Sequence, residues 1–500
     1  MLEEDRRYQV AERFSLPDLV GCVPSGGTVV AHPPVASRAT YHDTPDHRLA
    51  RAGGSLRYGG DESSTGVWTA DLPSDPPGTR HEICRPGPAK NPPADLVALL
   101  TAYHRGASLH RAVVLRTVRR AHEILDADGR SLVEIVDDTV RVFEGRRVVR
   151  RFREIEIRRG AGRPKLLNRI ESLLRRHGAH PGDTVPNHVR AMGTAVPGAA
   201  RLPDRPSAAD VVAGVLRRDV LRILRNDPLV RMRQPVHGGD TPVHRMRVGC
   251  RRLRSDLRTF RPLLERAWAD SLREDLRWLA EVLGPARDAE VLRARLHQTA
   301  VVDALAPLEP ASLARIDADL TARHEEALLA LDEMLAAPRY LDLLGGLVTA
   351  STAPELAEDA AVAARWALPP IMAGPWRRLV RGGAAALGRA TPDADWHAVR
   401  VLGKRARYAA DAAAAVLGGP AGELARALGS LQDLLGEHHD ATIAAETWMA
   451  IAAADPDDHA LAVTAGRLYE RERATARRCR RRIGPLWQAV TRKRATAWLR

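Results

Sequence analysis

The 500-residue sequence predicts a two-domain protein, with a strand-rich first half and an all-helical second half that arose by duplication. Up to about Gly193, short apolar runs alternate with turn signals, whereas beyond Ser207 the apolar residues follow a helical period. In addition, two motifs of the helical half each occur twice, in the same order and at nearly the same spacing. The chain is long enough for each half to bury its own core.

The first half, residues 1–193, contains several strand-like segments and one clear helix. The segment HEILDADGRSLVEIVDD predicts two strands around an Asp-Gly turn, and VRVFEG and FREIEIRR follow as further strands. The segment PKLLNRIESLLRRHG is the predicted helix, with Pro164 near its start and Gly178 after its end. Residues 194–207 are rich in proline, glycine and alanine, which predicts a linker.

The second half, residues 208–500, contains helical segments and almost no strand signal. A His-anchored basic motif recurs in it at an offset of 153 residues, first as His244, Arg247, Arg251 and Arg254, then as His397, Arg400, Lys404 and Arg407. The segment LGPARDA at 283–289 likewise returns as LGEHHDA at 435–441. Two motifs in register predict a duplicated domain, with repeats over about 208–350 and 360–500.

The charged residues of each basic motif fall on one face of a helix. In the first copy this stripe continues to Arg258, while apolar residues such as Met246 and Leu253 occupy a different face. A solvated helix face usually interleaves acidic with basic residues four positions apart, but this stripe holds one sign only. Five like charges repel one another unless an anion lies among them. The pattern therefore predicts an anion-binding face, with a solvated surface helix as the alternative.

The composition also favours an anionic partner. Lysine and arginine number 76 against 62 acidic residues, and the net charge of +14 rests mainly on arginine. The planar, permanently charged guanidinium suits phosphate oxygens. The expected partners are therefore polyanions, namely nucleic acid, a phosphate polymer, nucleotides or an acidic membrane. Aromatic residues make up only 4% of the chain, which argues against a surface that stacks single-stranded bases.

The cysteines and the start of the chain indicate the cellular compartment. Cys22, Cys84, Cys250 and Cys479 form no CxxC pair, which excludes a thiolate zinc site and fits a reducing environment. The first residues are charged and do not resemble a signal peptide. No apolar run approaches the ~20 residues that a membrane helix needs. We therefore expect a cytoplasmic protein without membrane attachment.

The two His-anchored motifs, each followed by an LG-x-x-[RH]-D-A segment, resemble the CHAD domain, the conserved-histidine α-helical domain, over about residues 208–500. The resemblance implies two pseudo-symmetric four-helix bundles around a basic surface that binds inorganic polyphosphate, with no cofactor. It also implies a location on polyphosphate granules in a bacterial cytoplasm. The candidate binding residues are His244, Arg247, Arg251, Arg254, Arg258, Arg287, His397, Arg400, Lys404 and Arg407, with Arg218 and Arg222 on a further basic stripe.

The residue chemistry of the helical half agrees with polyphosphate as the ligand. Polyphosphate carries about one charge per phosphate and has no bases, so an array of arginine and lysine with few aromatics suits it.

His244 and His397 could equally be core histidines bonded to backbone carbonyls. The run His438-His439-Asp440 resembles a metal motif, but adjacent histidines on a helix point apart, and the first copy has Ala-Arg there.

In the first half, ATYHDTPDHRLARAGGSLRY at 39–58, LRTVRRAHEILDADG and FREIEIRR resemble the CYTH, or triphosphate-tunnel, family over about residues 1–193. The resemblance implies an antiparallel β-barrel whose lumen holds a triphosphate between basic residues, with Mg²⁺ or Mn²⁺ on carboxylates. Glu154 and Glu156 are two apart on a strand, so both point to one face. The candidate phosphate contacts are Arg7, Arg57 and Arg116; the candidate metal ligands are Glu3, Asp5, Glu154 and Glu156; further retained carboxylates are Glu82, Glu134 and Asp138.

The first half also departs from that family. Gly59, Asp71 and Asn187 stand where the family has cations. Triphosphate hydrolysis depends mainly on charge neutralisation and positioning, so each lost cation weakens binding and turnover. The leading prediction is a polyphosphate-binding protein whose tunnel is inactive or weakly active. The alternatives are a divalent-metal-dependent triphosphatase or polyphosphatase, and a nucleic-acid-binding protein, although the sequence shows no helix-turn-helix, finger or RNA-binding motif.

Overall fold

The structure, a computed structural model, describes residues 6–59, 66–73, 80–182, 185–195, 202–234, 240–302, 307–387 and 391–499. The chain divides into two compact units, Met1–Ala199 and Ala200–Arg500. The division falls inside the predicted linker segment. Among the described residues, no helix combines the length and the apolar character needed to cross a bilayer.

The first unit is built on one antiparallel sheet. Its strands are β1 (Arg6–Val10), β2 (Thr28–Ala31), β3 (Val35–Asp43), β4 (Ser55–Gly59), β5 (Gly66–Pro73), β6 (Arg80–Gly87), β7 (His110–Leu125), β8 (Ser131–Glu144), β9 (Arg147–Arg159) and β10 (His180–Pro181). They pair in the order β10-β1-β9-β8-β7-β3-β4-β5-β6, with β2 on β7. The predicted antiparallel β domain is confirmed. In the described residues the two end strands of this order do not pair, so the sheet is open there.

Helices cover parts of both faces of this sheet. They are α1 (Arg48–Ala52), α2 (Ala94–Leu99), α3 (Thr101–His104), α4 (Pro164–Arg176) and α5 (Asn187–Met192). Leucines and an isoleucine of α4 pack with Ile124, Ile135 and Ile155, whereas Ala191 and Met192 of α5 pack with Leu115 and Val140. Alternate strand residues point to opposite faces, so α4 and α5 lie on opposite faces of the sheet.

The second unit is helical, as predicted. Its helices are α6 (Ala208–Met232), α7 (Pro242–Thr259), α8 (Arg266–Val282), α9 (Gly284–Ala300), α10 (Pro310–Ala336), α11 (Pro338–Thr352), α12 (Ala364–Ala386), α13 (Asp393–Leu417), α14 (Gly419–Ala453), α15 (His459–Thr491) and α16 (Lys493–Thr496). The first basic motif lies on α7 and the second on α13. The LG-x-x-[RH]-D-A segment begins α9 in the first repeat but lies within the continuous α14 in the second, because Pro285 lacks an N–H for the helical ladder.

The two repeats share a core. Leu296, Ile316 and Leu320 from α9 and α10 pack with the fully buried Trp448 of α14 and with Leu468 of α15, among other residues. A buried ion pair lies between the same elements, since Arg295 of α9 donates to Glu472 of α15 and to Glu437 of α14. Removing one partner of such a pair would leave a buried charge uncompensated. The pair therefore fixes how the repeats pack.

The packing of α12 against α15 depends on a glycine, and this can be tested. A Cβ at Gly383 would overlap the indole ring of Trp487, whereas a Cβ at Gly345 in α11 would meet open space. We expect Gly383→Ala to destabilise the helical unit by about 1–3 kcal/mol through overpacking. Gly345→Ala should stabilise it by about 0.5–1 kcal/mol through helix propensity. Thermal melts followed by helical circular dichroism measure both, and equal shifts would contradict this packing.

Candidate functional site

The basic stripe on α7 and the basic stripe on α13 lie close to each other. Burial lowers the pKa of Lys404 to about 6, together with the nearby charges of Arg251, Arg400 and Arg247. The pKa of Arg400 is lowered by burial and by Arg251 and Arg247, with Asp440 opposing. Arg247 and Arg251 belong to the first repeat and Arg400 and Lys404 to the second, and charges influence each other this strongly only at short range. We call these four residues the central cluster.

Histidines from both repeats border the central cluster. Burial lowers the pKa of His244 to about 4, with Arg287 as the strongest nearby charge. Burial and then Arg400 lower the pKa of His439 to about 3. The Nδ1 atoms of His397 and His439 lie 3.2 Å apart, so one ring donates and the other accepts. His397 therefore bonds to another histidine rather than to a backbone carbonyl.

The neighbouring His438 belongs to a separate network. Its Nε2 accepts a hydrogen bond from Arg480 at 3.0 Å and lies 3.2 Å from Asp393. His438 and His439 thus have different partners, as expected for adjacent helix residues. Nowhere in the described parts of the chain do three or more histidine, cysteine, aspartate or glutamate side chains gather in a group able to hold a metal ion.

Each repeat places one aspartate beside the central cluster. Arg247 lies 3.8 Å from Asp288, and Arg400 lies 3.9 Å from Asp440. These aspartates are equivalent members of the LG-x-x-[RH]-D-A segment, which in the sequence served only to mark the repeat. Both distances exceed that of a hydrogen bond. These two aspartates do not balance the four basic residues of the central cluster, which therefore keeps a positive potential.

The basic surface continues beyond the central cluster. The pKa of Arg254 is lowered by burial and then by Arg273 and Arg277 of α8. The pKa of Arg405 is lowered by burial and then by Arg258, followed by Arg378 of α12. Cations of α7, α8, α12 and α13 thus share one surface. Sequence reasoning missed Arg273 and Arg378, because each stands on a helix that carries no repeated motif.

Other candidate residues have acidic or packing partners. Arg218 lies 3.1 Å from Asp219 and 3.8 Å from Asp256, two fully buried acids, so it serves that pair rather than the central cluster. Arg287 pairs with Glu290 at 3.1 Å. Arg407 lies within 3.9 Å of Asp411 and Asp433. The stem of Arg222 packs beside Gly249 of α7.

In the first unit, the strand register decides which candidates share a face. Glu156 pairs directly with Arg7, and Glu154 pairs with Asp138, which pairs with Arg119. Arg57 of β4 lies on this face too. It pairs with Tyr41 of β3, and Ala39, two positions from Tyr41, pairs with Leu115 of β7, which is an even number of positions from Arg119. Arg116 is an odd number of positions from Arg119, so it points to the opposite face. The predicted grouping of Arg116 with Arg7 and Arg57 is therefore wrong, and Arg119, 2.7 Å from Asp138, takes its place.

The carboxylates of this face already have protein partners. Burial raises the pKa of Glu156, but Arg7 and Arg158, at 2.9 and 2.7 Å, outweigh it and leave that pKa below its ordinary value. Burial raises the pKa of Glu154, which accepts a hydrogen bond from Asn187 at 2.7 Å. The other pairs are Arg190 with Glu154 at 3.5 Å, Arg57 with Glu82 at 2.6 Å and Arg158 with Glu134 at 3.2 Å.

These partners determine whether the carboxylates could bind a divalent metal ion. Glu3 and Asp5, two of the four candidate ligands, lie outside the described residues. The other two, Glu154 and Glu156, are bonded to asparagine and arginine side chains, which compete with a cation for the same oxygens. Asp71 pairs directly with Glu82 across β5 and β6, so its strand position brings two acids together. The described residues therefore do not fit a Mg²⁺ or Mn²⁺ site.

A positive charge on Lys404 lowers the stability of the folded protein, and this effect can be measured. Its folded pKa lies below that of an ordinary lysine, so between about pH 6 and 10.5 the unfolded chain binds more protons than the folded one, and stability rises with pH. We expect Lys404→Met to raise the melting temperature, by more at pH 6.5 than at pH 9.5. Lys493→Met, at an exposed lysine of α16, is the control and should change little. A gain independent of pH would refute the role of charge.

Comparison with known proteins finds similarity for the helical unit and for the whole chain. The CHAD domain family model matches residues 214–449. Rv2226 of Mycobacterium tuberculosis (strain ATCC 25618 / H37Rv), described as uncharacterized, is 29% identical over 515 residues, which cover 96% of this chain and 95% of that protein.

Solved structures resemble parts of the chain. PptA from Streptomyces chartreusis is 24% identical over 56% of this chain and 99% of its own, with a TM-score of 0.48. The CHAD domain from the plant Ricinus communis is 24% identical over 57% and 95%, with a TM-score of 0.44. HpAC1 from Hippeastrum, an adenylyl cyclase candidate described as having a dominant triphosphatase activity, is 13% identical over 39% and 98%, with a TM-score of 0.25. The residues that the CHAD domain family model matches, 214–449, contain the central cluster.

Proposed function

We propose that the helical unit binds inorganic polyphosphate on the surface shared by α7 and α13, without a cofactor. The observation that carries this proposal is the convergence of Arg247, Arg251, Arg400 and Lys404 from two repeats, in which Arg251 helps to lower the pKa of the other three. The arginine charges held together in this way repel one another in the free protein, and they favour loss of the proton from Lys404. A multiply charged anion would relieve that repulsion, so its binding is favoured.

The extent of the surface favours a polymer over a single phosphate. From His244 to Arg258 the stripe on α7 extends for about 21 Å at 1.5 Å per residue. Arg254, Arg258 and Arg405 continue the positive charge beyond the central cluster. A small anion would meet only part of this array, whereas a chain with about one charge per phosphate would meet all of it.

Nucleic acid is the less favoured ligand, because the described parts of α7 and α13 expose no tryptophan, tyrosine or phenylalanine ring for base stacking. In the described stretches of α7 and α13, including the residue that ends α7, the aromatic side chains are Trp396, Tyr408 and Phe260, with exposures of 6%, 4% and 0%. Single-stranded nucleic acids rely on exposed aromatic rings for much of their affinity. A phosphate chain without bases needs only the cations. We expect such a protein in a bacterial cytoplasm, on polyphosphate granules.

We further propose that the first unit hydrolyses triphosphates poorly. Gly59, Asp71 and Asn187 replace cations of the CYTH pattern, and Asn187 instead donates to Glu154. Arg7 and Arg57 keep their positive charge, but both are paired with glutamates. A triphosphate would therefore meet fewer available cations than the reaction needs.

The two stripes can be tested by charge removal. We expect Arg247→Gln with Arg251→Gln and Arg254→Gln to weaken polyphosphate binding at least about tenfold and to lower the salt slope by about two to three, because fewer counterions are released. The triple change at Arg400, Lys404 and Arg407 should act alike, and the combination should cost more. Fluorescence anisotropy with labelled long-chain polyphosphate across a salt series measures this.

A matched control separates the effect of losing the site from the effect of losing net positive charge. Arg233, Arg323 and Arg477 are exposed and lie beside acids, so changing all three to glutamine removes the same charge elsewhere. This control should bind almost normally. Unchanged affinity in both stripe variants, with circular dichroism showing them folded, would refute the proposal. Tighter binding of duplex DNA than of polyphosphate would favour the nucleic-acid alternative.

Hydrolysis by the purified protein tests the first unit. With Mg²⁺ or Mn²⁺ present, we expect phosphate release from tripolyphosphate and nucleoside triphosphates to stay near background. The double variant Glu154→Ala, Glu156→Ala should release phosphate at the same low rate. Robust metal-dependent release that this double variant abolishes would instead establish a triphosphatase.

A further inference from the structure

A row of arginines crosses the sheet of the first unit. Arg38 of β3 pairs directly with Arg116 of β7, Arg116 with Arg141 of β8, and Arg141 with Arg151 of β9. Directly paired residues share a face, so all four lie on one face, about 4.8 Å apart from strand to strand. Each of them is exposed. We call these four residues the outer arginine row.

This row costs stability, and three of its four arginines have no acidic partner in the described part of the chain. Like charges directly opposite each other destabilise a sheet. Within the residues that the structure describes, Arg116, Arg141 and Arg151 have neither an ion-pair nor a hydrogen-bond partner. Other arginines of the same strands are paired, such as Arg119 with Asp138 and Arg153 with Asp137. These acids thus serve other arginines of the sheet and leave Arg116, Arg141 and Arg151 positive.

The row lies on an open part of its face. Helix α4 covers the isoleucine-rich part of this face, whose members include Ile124, Ile135 and Ile155. Beside the row is a cavity of about 510 Å³, lined by Arg38, Arg116, Phe143 and Arg146 among others. A ligand on the row would therefore meet a fifth cation.

The shape of the row selects its partner. Its same-face neighbours along β7 and β8 are uncharged, namely Val114, Val118, Thr139 and Phe143. On β9 the neighbour Arg153 is paired with Asp137, so the unpaired charge there is one residue wide. A broad anionic surface or a duplex would need charges spread in two directions, whereas a single-file anion needs one line of them. Phe143 is the aromatic residue at the row and is partly buried, which offers little for stacking bases.

We infer that the outer arginine row is a second polyphosphate-binding site, on the opposite face of the sheet from Glu154 and Glu156. The identity of the polymer rests on the function proposed for the helical unit. The location of the site rests only on the strand register and the charges described above. Neither the carboxylate face of the sheet nor a metal takes part.

The test uses the full-length protein and three variants. The row variant carries Arg116→Gln, Arg141→Gln and Arg151→Gln, and the stripe variant carries all six stripe changes on α7 and α13. The third variant combines both sets. As a control for the row variant, Arg85, Arg130 and Arg175, all exposed residues of the first unit, are changed to glutamine. Circular dichroism and thermal melts establish that each variant is folded.

We expect the row variant to bind labelled polyphosphate at least about threefold more weakly than the control, with a salt slope lower by about two. The stripe variant should retain weak binding that the combined variant loses. Isothermal titration with short polyphosphate should show two sites in the unchanged protein and one in the row variant.

Three results would overturn the inference. Row and control variants that bind alike, while the stripe variant loses all binding, would refute this site and leave the function of the helical unit intact. No loss in any variant would refute both. A row variant that loses binding to single-stranded or duplex oligonucleotides, but not to polyphosphate, would assign the row to nucleic acid.

Discussion

The basic surface of the helical unit depends on one side chain, Arg252, which joins the two helices that carry like charge. Its guanidinium lies 2.9 Å from Asp411 and 4.6 Å from the ring centroid of Tyr408, both on α13, and 3.8 Å from the buried Asp219 of α6. These contacts raise the pKa of Arg252, although burial opposes them. The attraction below the surface therefore offsets the repulsion between the stripes above it, and keeps α7 and α13 together without a ligand.

Much of this arrangement was predictable from spacing, and the rest was not. The recurrence of His244 at His397 defined the duplication, and the helical period placed each stripe on one face. Arg273 and Arg378 reach the same surface only through tertiary packing, which no local pattern records. Arg116 was misassigned because a strand alternates with period two, and without the register the neighbouring basic residues of LRTVRRA cannot be distinguished. The segment Asn187–Met192 gave no sign that it would cover the carboxylate face.

The two units treat their charges differently. In the sheet, guanidinium groups on the carboxylate face are neutralised one by one by acids, as Arg7 is by Glu156 and Arg119 by Asp138. In the helical unit, the four residues of the central cluster lie together, and the acids paired with them in the described part of the chain, Asp288 and Asp440, are about 4 Å away. In the first arrangement the charges are neutralised within the protein. In the second they leave a positive potential directed at solvent. This contrast, more than the total charge of the chain, indicates where a polyanion would bind.

The two repeats also differ at one matched position, where Arg287 of the first corresponds to His439 of the second. Each lies near the anchoring histidine of its own repeat, Arg287 by charge on His244 and His439 by direct contact with His397. One end of the surface is therefore a permanent cation and the other a ring that is uncharged at neutral pH. The two repeats carry matched motifs, but their chemistry differs at this position. A polymer whose two directions are identical would thus find unlike ends on the protein, and the protein imposes an orientation that the polymer itself does not possess.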